Sequence, residues 1–292
     1  MAAERTAVAL GLFDGVHLGH RAVLKLAAEQ KKNGYVPIAF TFSPDTITVR
    51  KSKSGYIYGS NEKTELIKGC GIENVMSWDF DSLKNMKGDE FAKNILADKL
   101  NAAFVCCGNN FRFGKGAFCG AAELKSFGER FGFEVRTADD VVYEREIVSS
   151  TAIRNALLDG NAVKAKRLLG TPYTIEKEAV HGVHLGSTIG FPTINQLFGE
   201  GQLVPKYGVY ASEVYINGRY RAVTNIGIKP TVSYGGRPLA ETHILDFSGD
   251  LYGKTISVRL RDFIRSERKF SSVDELKSQI AEDVRAALIV LA

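Results

Sequence analysis

The chain has 292 residues, 45% of them hydrophobic and 24% charged, with a net charge of +5. This is an ordinary globular composition, long enough for two domains of about 100–200 residues each. The mild basic excess suits anionic ligands such as nucleotides. It excludes little else by itself, but no dense Lys/Arg run supports nucleic acid and no stretch of about 18 apolar residues supports a membrane span.

In chain order, the apolar run Ala7–Phe13 reads as a strand that ends in a Gly-rich turn. Leu18–Asn33 follows as a helix, with Ala22, Val23, Leu26 and Ala27 at helical spacing and Gly34 as its C-cap. Val36–Phe42 is the next strand, so the three elements form a βαβ unit with parallel strands. The rhythm continues with helix Glu62–Cys70, strand Asn74–Phe80, helix Asp89–Leu100, strand Ala103–Gly108, helix Ala121–Phe131 and strand Phe133–Val142. Repeated alternation of this kind predicts an α/β fold with a doubly wound parallel sheet.

After about residue 170 the rhythm changes. Tyr173–Val180, Gly208–Ile216, Tyr220–Ile226, Glu241–Phe247 and Thr255–Ile264 read as strands, and Asn217-Gly218 as a type I′ hairpin turn. The expectation is an antiparallel β-barrel. A final helix carries a capping box at Ser272 and Glu275, and an apolar stripe of Val273, Leu276, Ile280 and Val284 for packing on the barrel. The boundary falls near Leu169–Gly170, giving domains of residues 1–169 and 170–292. Cys70, Cys106, Cys107 and Cys119 contain no Cys-x-x-Cys pair and read as reduced thiols of a cytoplasmic protein. The N-terminus, with no charged region leading into an apolar stretch, does not read as a signal peptide. Oligomeric state is not written in these patterns.

Four segments carry chemistry. Gly11-Leu-Phe13-Asp14-Gly15-Val-His17-Leu-Gly19-His20 lies between a strand and a helix. Its glycines allow close backbone approach, the helix N-terminus offers free N–H groups, and His17 and His20 fall near one face. Ser149-Ser150-Thr151-Ala152-Ile153-Arg154 opens a helix, with hydroxyls that can bond either backbone or phosphate and an Arg that can grip phosphate. Gly108-Asn109-Asn110-Phe111-Arg112-Phe113-Gly114 follows a strand; its aromatic rings are either core anchors or a wall against a flat ligand. In the second half, Pro192-Thr193-Ile194-Asn195 is either an ordinary turn or an extended segment that sets a hydroxyl and an amide on one face, where they could orient a phosphate-bound Mg²⁺. Glu241, at the start of its expected strand, reads from position alone as a solvated strand end and otherwise as a candidate general base. His181, His184 and His243 show no metal-ligand geometry.

Together these segments resemble bacterial bifunctional riboflavin kinase/FMN adenylyltransferases, from about Val8 to about Ala286. The first resembles the His-x-Gly-His signature of nucleotidylyltransferases, the second the Ser-Ser-Thr-x-x-Arg motif, and the third the flavin-contacting loop. Gly182, Gly186, Gly190-Phe-Pro-Thr-x-Asn, Asn225-Ile-Gly227-x-x-Pro230-Thr231, Glu241-Thr-His and Asp250-x-Tyr252-Gly253 resemble a riboflavin kinase domain. The resemblance implies ATP at Gly11, Phe13, Asp14, Gly15, Gly19, Ser150 and Thr151, with His17, His20 and Arg154 acting on its α-phosphate. It implies flavin at Asn110, Phe111, Arg112 and Phe113. In the kinase domain it implies ATP at Gly182 and Gly186, Mg²⁺ at Thr193 and Asn195, and Glu241 as base. The substrates are then riboflavin, FMN and ATP, with FMN and FAD as products.

The sequence departs from the family at Ser43-Pro44-Asp45-Thr46, where Pro-His-Pro is usual, and at Lys177, Ser187 and Lys229, where Gly, Arg and Arg are common. The first departure keeps a kinase-only protein as an alternative. A non-catalytic flavin-binding regulator is the other.

Overall fold

Strands β1 (Thr6–Leu10), β2 (Val36–Phe42) and β4 (Ala102–Gly108) are apolar almost throughout, as strands covered on both faces must be. The computed structural model of the protein, which describes residues 4–43, 55–180, 191–228 and 236–292, sets them at the centre of a five-stranded parallel sheet. With β3 (Asn74–Trp78) and β5 (Glu134–Ala138) at the edges, the order is β3-β2-β1-β4-β5. Alternate residues serve opposite faces. Val105 and Cys107 join one buried cluster with Leu10, Phe40 and Phe91, while Phe104 and Cys106 join another with Phe13, Val23 and Leu24. Helix Leu18–Ala28 passes into a tighter turn at Glu29–Asn33 and stops at Gly34, which has a φ of 77°. The expected helix Asp89–Leu100 is wound mostly as a π-helix, Phe91–Lys99. The last strand is shorter than expected: β5 ends at Ala138, and β6 (Val142–Tyr143) and β7 (Glu146–Ile147) form a separate small hairpin.

The chain divides into two compact units, Met1–Ser150 and Thr151–Ala292. Helix Ser150–Leu158 starts at the last residue of the first unit, and helix Ala162–Leu169 belongs to the second. The Leu157 carbonyl accepts a hydrogen bond from the Lys206 amide there.

The second unit is an antiparallel sheet in the order β8-β13-β10-β11-β12-β9, formed by Thr174–Glu178, Thr255–Arg265, Gly208–Tyr215, Arg219–Ile228, Pro238–Ile244 and Thr193–Leu197. A bridge between Val180 and Asn195 brings β9 back to the end of β8 and nearly closes the barrel. The barrel interior holds a polar ladder: the Ser212, Thr224 and Thr242 hydroxyls bond in series at 2.7 and 2.9 Å. Gln196 is also interior, its Nε2 donating to the Lys177 and Ile256 carbonyls. Strand β9 escaped the period-2 pattern because this buried glutamine stands where an apolar residue is expected. The hairpin at Asn217-Gly218 is present, but its loop is the three residues Ile216–Gly218, because Tyr215 pairs with Arg219.

The closing helix, Val273–Val290, is capped by Ser272, whose hydroxyl accepts from the Glu275 amide. Val284, Ala287 and Leu291 pack on Val209, Ala211, Val223 and Ile264; Val273, the first member of the expected stripe, is exposed. A bidentate ion pair fastens the helix. Both Asp283 carboxylate oxygens lie 2.7 Å from the Arg265 guanidinium on β13, and Gln279 Nε2 donates to the same carboxylate. Asp283 is buried, so removing it leaves the guanidinium without its counter-charge. Asp283→Ala is expected to cost about 3 kcal/mol of stability, read as a lower denaturation midpoint. A midpoint equal to that of the unmodified protein would show the pair contributes nothing.

Candidate active sites

Both ligand-type loops of the first unit start at the carboxyl ends of adjacent strands. β1 feeds the Gly11–Gly15 turn and β4 feeds the Gly108–Gly114 loop, and the strand order reverses between these two strands. That is the switch point at which open parallel sheets bind ligands.

The first turn is backbone-strained. Phe13, Gly15 and Val16 have φ of 50°, 86° and 42°, and Phe13 and Val16 are fully buried. Its tethers are specific. Asp14 Oδ1 accepts from the Ile57 amide at 2.9 Å, the Asp14 carbonyl accepts from the Ser150 hydroxyl at 2.8 Å, and Arg21 Nε donates to the Val16 carbonyl. Two residues expected to touch ATP, Asp14 and Ser150, therefore hold the loop itself together. A side chain at Gly11 would meet the Phe13 ring, and one at Gly19 would press on the His17 ring.

His17 is the N-cap of helix Leu18–Ala28. Its Nδ1 accepts from the His20 amide at 3.2 Å, which puts the ring proton on Nε2. The His17 and His20 rings stack with centroids 3.6 Å apart, and Phe13 meets His20 edge-on. His20 Nδ1 is buried, and no described residue hydrogen-bonds it. Burial, then the adjacent His17, then the Lys63 charge hold the His20 pKa well below the ordinary histidine value. A helix N-terminus with two imidazoles beside it has the polarity that suits an anionic ligand.

In the β4 loop, Phe113 is buried against Phe91 and Phe127, with Phe111 stacked on it at 5.6 Å. Phe113 is thus a core anchor, and the half-buried Phe111 presents the accessible ring. Asn110 lies beside Gly108, and the exposed Arg112 lies over Gly120. Thr151 is exposed, and Arg154 is half-buried on helix Ser150–Leu158.

The second unit gathers a separate cluster. Pairing of β9 with β12 sets Thr193 opposite His243 and Asn195 opposite Glu241, and β11 sets Asn225 on the other side of Glu241. Directly paired residues share a sheet face. The Thr193 hydroxyl donates to Glu241 Oε1 at 3.1 Å, across 48 residues of sequence. Asn195 is buried, and its Oδ1 has no partner among the described residues. Glu241 is the fourth residue of β12 rather than the first of its strand, so a neighbour on each side fixes its backbone. His243 Nδ1 lies 2.8 Å from the Pro192 carbonyl, a structural contact. Asn225 Nδ2 donates to Glu267, a carboxylate that also lies over Gly227 and that no motif singled out.

Among the described residues no group of three or more His, Cys, Asp and Glu is placed to hold a metal. The oxygen donors of Thr193 and Asn195, whose Oδ1 has no partner among the described residues, instead fit Mg²⁺, which takes few protein ligands alongside phosphates. Gly182, Gly186, His181, His184, Ser187, Gly190, Lys229, Pro230, Thr231 and Asp45-Thr46 lie outside the described residues.

Comparison with known proteins matches each half separately. A family model for FAD synthetase covers residues 1–152, and one for riboflavin kinase covers residues 169–291. The bifunctional riboflavin kinase/FMN adenylyltransferase of Escherichia coli (strain K12) is 37% identical over 286 residues, spanning 96% of this chain and 91% of that protein. The protein of the same description from Haemophilus influenzae is 34% identical, over 96% and 92%. A crystal structure titled macrolide-efflux protein from Streptococcus pneumoniae superposes with a TM-score of 0.84 at 32% identity, covering 98% of this chain and 95% of that one.

Proposed function

The chain belongs to the family of bifunctional riboflavin kinase/FMN adenylyltransferases, and from that premise we propose which residues carry each of its two reactions. It makes flavin cofactors: ATP phosphorylates riboflavin to FMN, and FMN is then adenylylated to FAD with release of pyrophosphate. We assign the kinase to the second unit and the adenylyltransferase to the first.

The observation that carries the kinase assignment is the hydrogen bond from Thr193 to Glu241 beside the orphaned Asn195 Oδ1. Thr193 orients the carboxylate. Glu241 then takes the proton of the terminal ribityl hydroxyl as that oxygen attacks the γ-phosphorus and ADP leaves. Thr193 and Asn195 would hold Mg²⁺, which would supply charge neutralisation at the phosphates. In the first unit, His17 through Nε2–H and His20 stabilise the charge that develops as the FMN phosphate attacks the α-phosphorus of ATP. The N-terminal amides of helix Leu18–Ala28 add to this. Phe111 forms a wall against the flavin ring, backed by Phe113, and Asn110 and Arg112 supply polar contacts. ATP as co-substrate and the free thiols of Cys70, Cys106, Cys107 and Cys119 support work in the cytoplasm.

Magnesium titration tests the metal assignment. Thr193→Val is expected to raise the Mg²⁺ concentration for half-maximal FMN formation by about tenfold, with FAD formation from supplied FMN unchanged. An unchanged requirement would remove Thr193 from the metal site.

A further inference from the structure

One buried charge is used by neither reaction as described. Lys63, on helix Ser60–Lys68, is 3% exposed. Its ammonium donates to the Phe42 carbonyl at 2.7 Å, to Thr41 Oγ1 at 3.2 Å and to the Leu12 carbonyl at 3.4 Å. The Thr41 hydroxyl donates in turn to the same Leu12 carbonyl at 2.9 Å. A lysine ammonium has three donors, enough to bridge these acceptors at once.

The acceptors are not scattered. Leu12 belongs to the strained turn that precedes His17, while Thr41 and Phe42 end β2, the neighbour of β1. The turn is held elsewhere through Asp14 and Val16; Lys63 and the Thr41 hydroxyl together tie its Leu12 carbonyl to the end of β2. Burying an ammonium costs desolvation that a methionine of similar length would avoid. Its charge also reaches His20, whose proton affinity it helps to lower.

We propose that Lys63 is a positioning residue for adenylyl transfer, clamping the Leu12 carbonyl to the end of β2 and so fixing the turn from which His17 and His20 meet the nucleotide. This rests on the assignment of adenylyl transfer to the first unit. Lys63 touches no reacting atom. Its effect is on geometry, so its loss lowers the rate of the chemical step more than it weakens ATP binding.

The test uses the full chain and compares Lys63→Met, Lys63→Arg, Thr41→Val and His20→Ala with the unmodified enzyme. FAD formation from FMN is measured for kcat and for KM of ATP, with FMN formation and the denaturation midpoint read on the same samples. Lys63→Met is expected to lower kcat of FAD formation by about 100-fold with KM for ATP within about threefold, since small misplacements of catalytic groups cost that much. Lys63→Arg, which keeps charge and donors, restores most of the rate, and FMN formation is unaffected. Thr41→Val, which removes one hydroxyl of the clamp, shows a smaller loss with the same kcat signature and gives the answer should Lys63→Met fail to fold. The proposal is overturned if a folded Lys63→Met keeps its kcat, if the loss lies in KM, or if Lys63→Arg is as impaired as Lys63→Met. His20→Ala separates the two levels: full activity there sinks the assignment of the first unit, whereas its loss beside an unimpaired Lys63→Met sinks only the clamp.

Discussion

Glu241→Ala is expected to lower FMN formation from riboflavin by about 10²–10⁴-fold, the range over which a positioned general base acts. FAD formation from supplied FMN is expected to stay at the level of the unmodified enzyme. The asymmetry follows from placement. Glu241 lies in β12 of the second unit, bonded to Thr193 of β9, whereas the histidine cradle is built from β1 and helix Leu18–Ala28 of the first. The change is also mild for the fold. Glu241 is half-buried on the sheet face opposite the Ser212–Thr224–Thr242 ladder, so its removal leaves that interior network intact. Glu241→Gln keeps the size and the contact with Thr193 but cannot take a proton, and it should be as inactive as the alanine variant. Loss of both reactions in a folded variant would contradict separate sites.

His20→Ala should do the reverse. Removing one donor to a developing phosphate charge costs about 10²–10³-fold, so FAD formation falls by that factor while FMN formation continues. The same residue imposes a pH signature on stability. Burial, His17 and Lys63 keep His20 neutral in the folded chain below the pH at which an unfolded histidine, with a pKa of about 6.5, takes its proton. In the window beneath 6.5, down to the lowered folded value, the unfolded chain binds more protons, so stability falls as the pH falls. Denaturation of the unmodified protein between pH 7 and 5 should show this slope, and His20→Ala should flatten it. Parallel curves for the two proteins would mean that His20 titrates alike in both states.

Much of this was legible in the sequence because the physics there is local. The doubly covered strands β1, β2 and β4 announce themselves as unbroken apolar runs, and Cys106 and Cys107 fall on opposite faces as adjacent strand residues must. Gly34 ends its helix because the chain needs a left-handed residue there. What was not legible depends on tertiary partners. Strand β9 hides because the Gln196 amide nitrogen is held by carbonyls of Lys177 and Ile256, distant in sequence. Glu241 looked like a strand terminus because Pro238–Ala240 complete the strand only when β11 and β9 flank them. The roles of Asp14 and Ser150 reversed in emphasis for the same reason: polar residues beside a phosphate-type turn suit ligand and loop equally, and only the partners at Ile57 and Asp14 decide. Lys63 gave no signal, since a lysine after a glutamate in the first turn of a helix is what a solvated face also shows.

The central claim is that two separate sites act in sequence on one flavin. The most direct measurement is a product time course from riboflavin, ATP and Mg²⁺ with the purified chain, resolved by chromatography. FMN should rise first and then give way to FAD as pyrophosphate accumulates. FMN that accumulates with no FAD, under conditions where ATP remains in excess, would contradict an active cradle at His17 and His20 and leave only the kinase at Glu241.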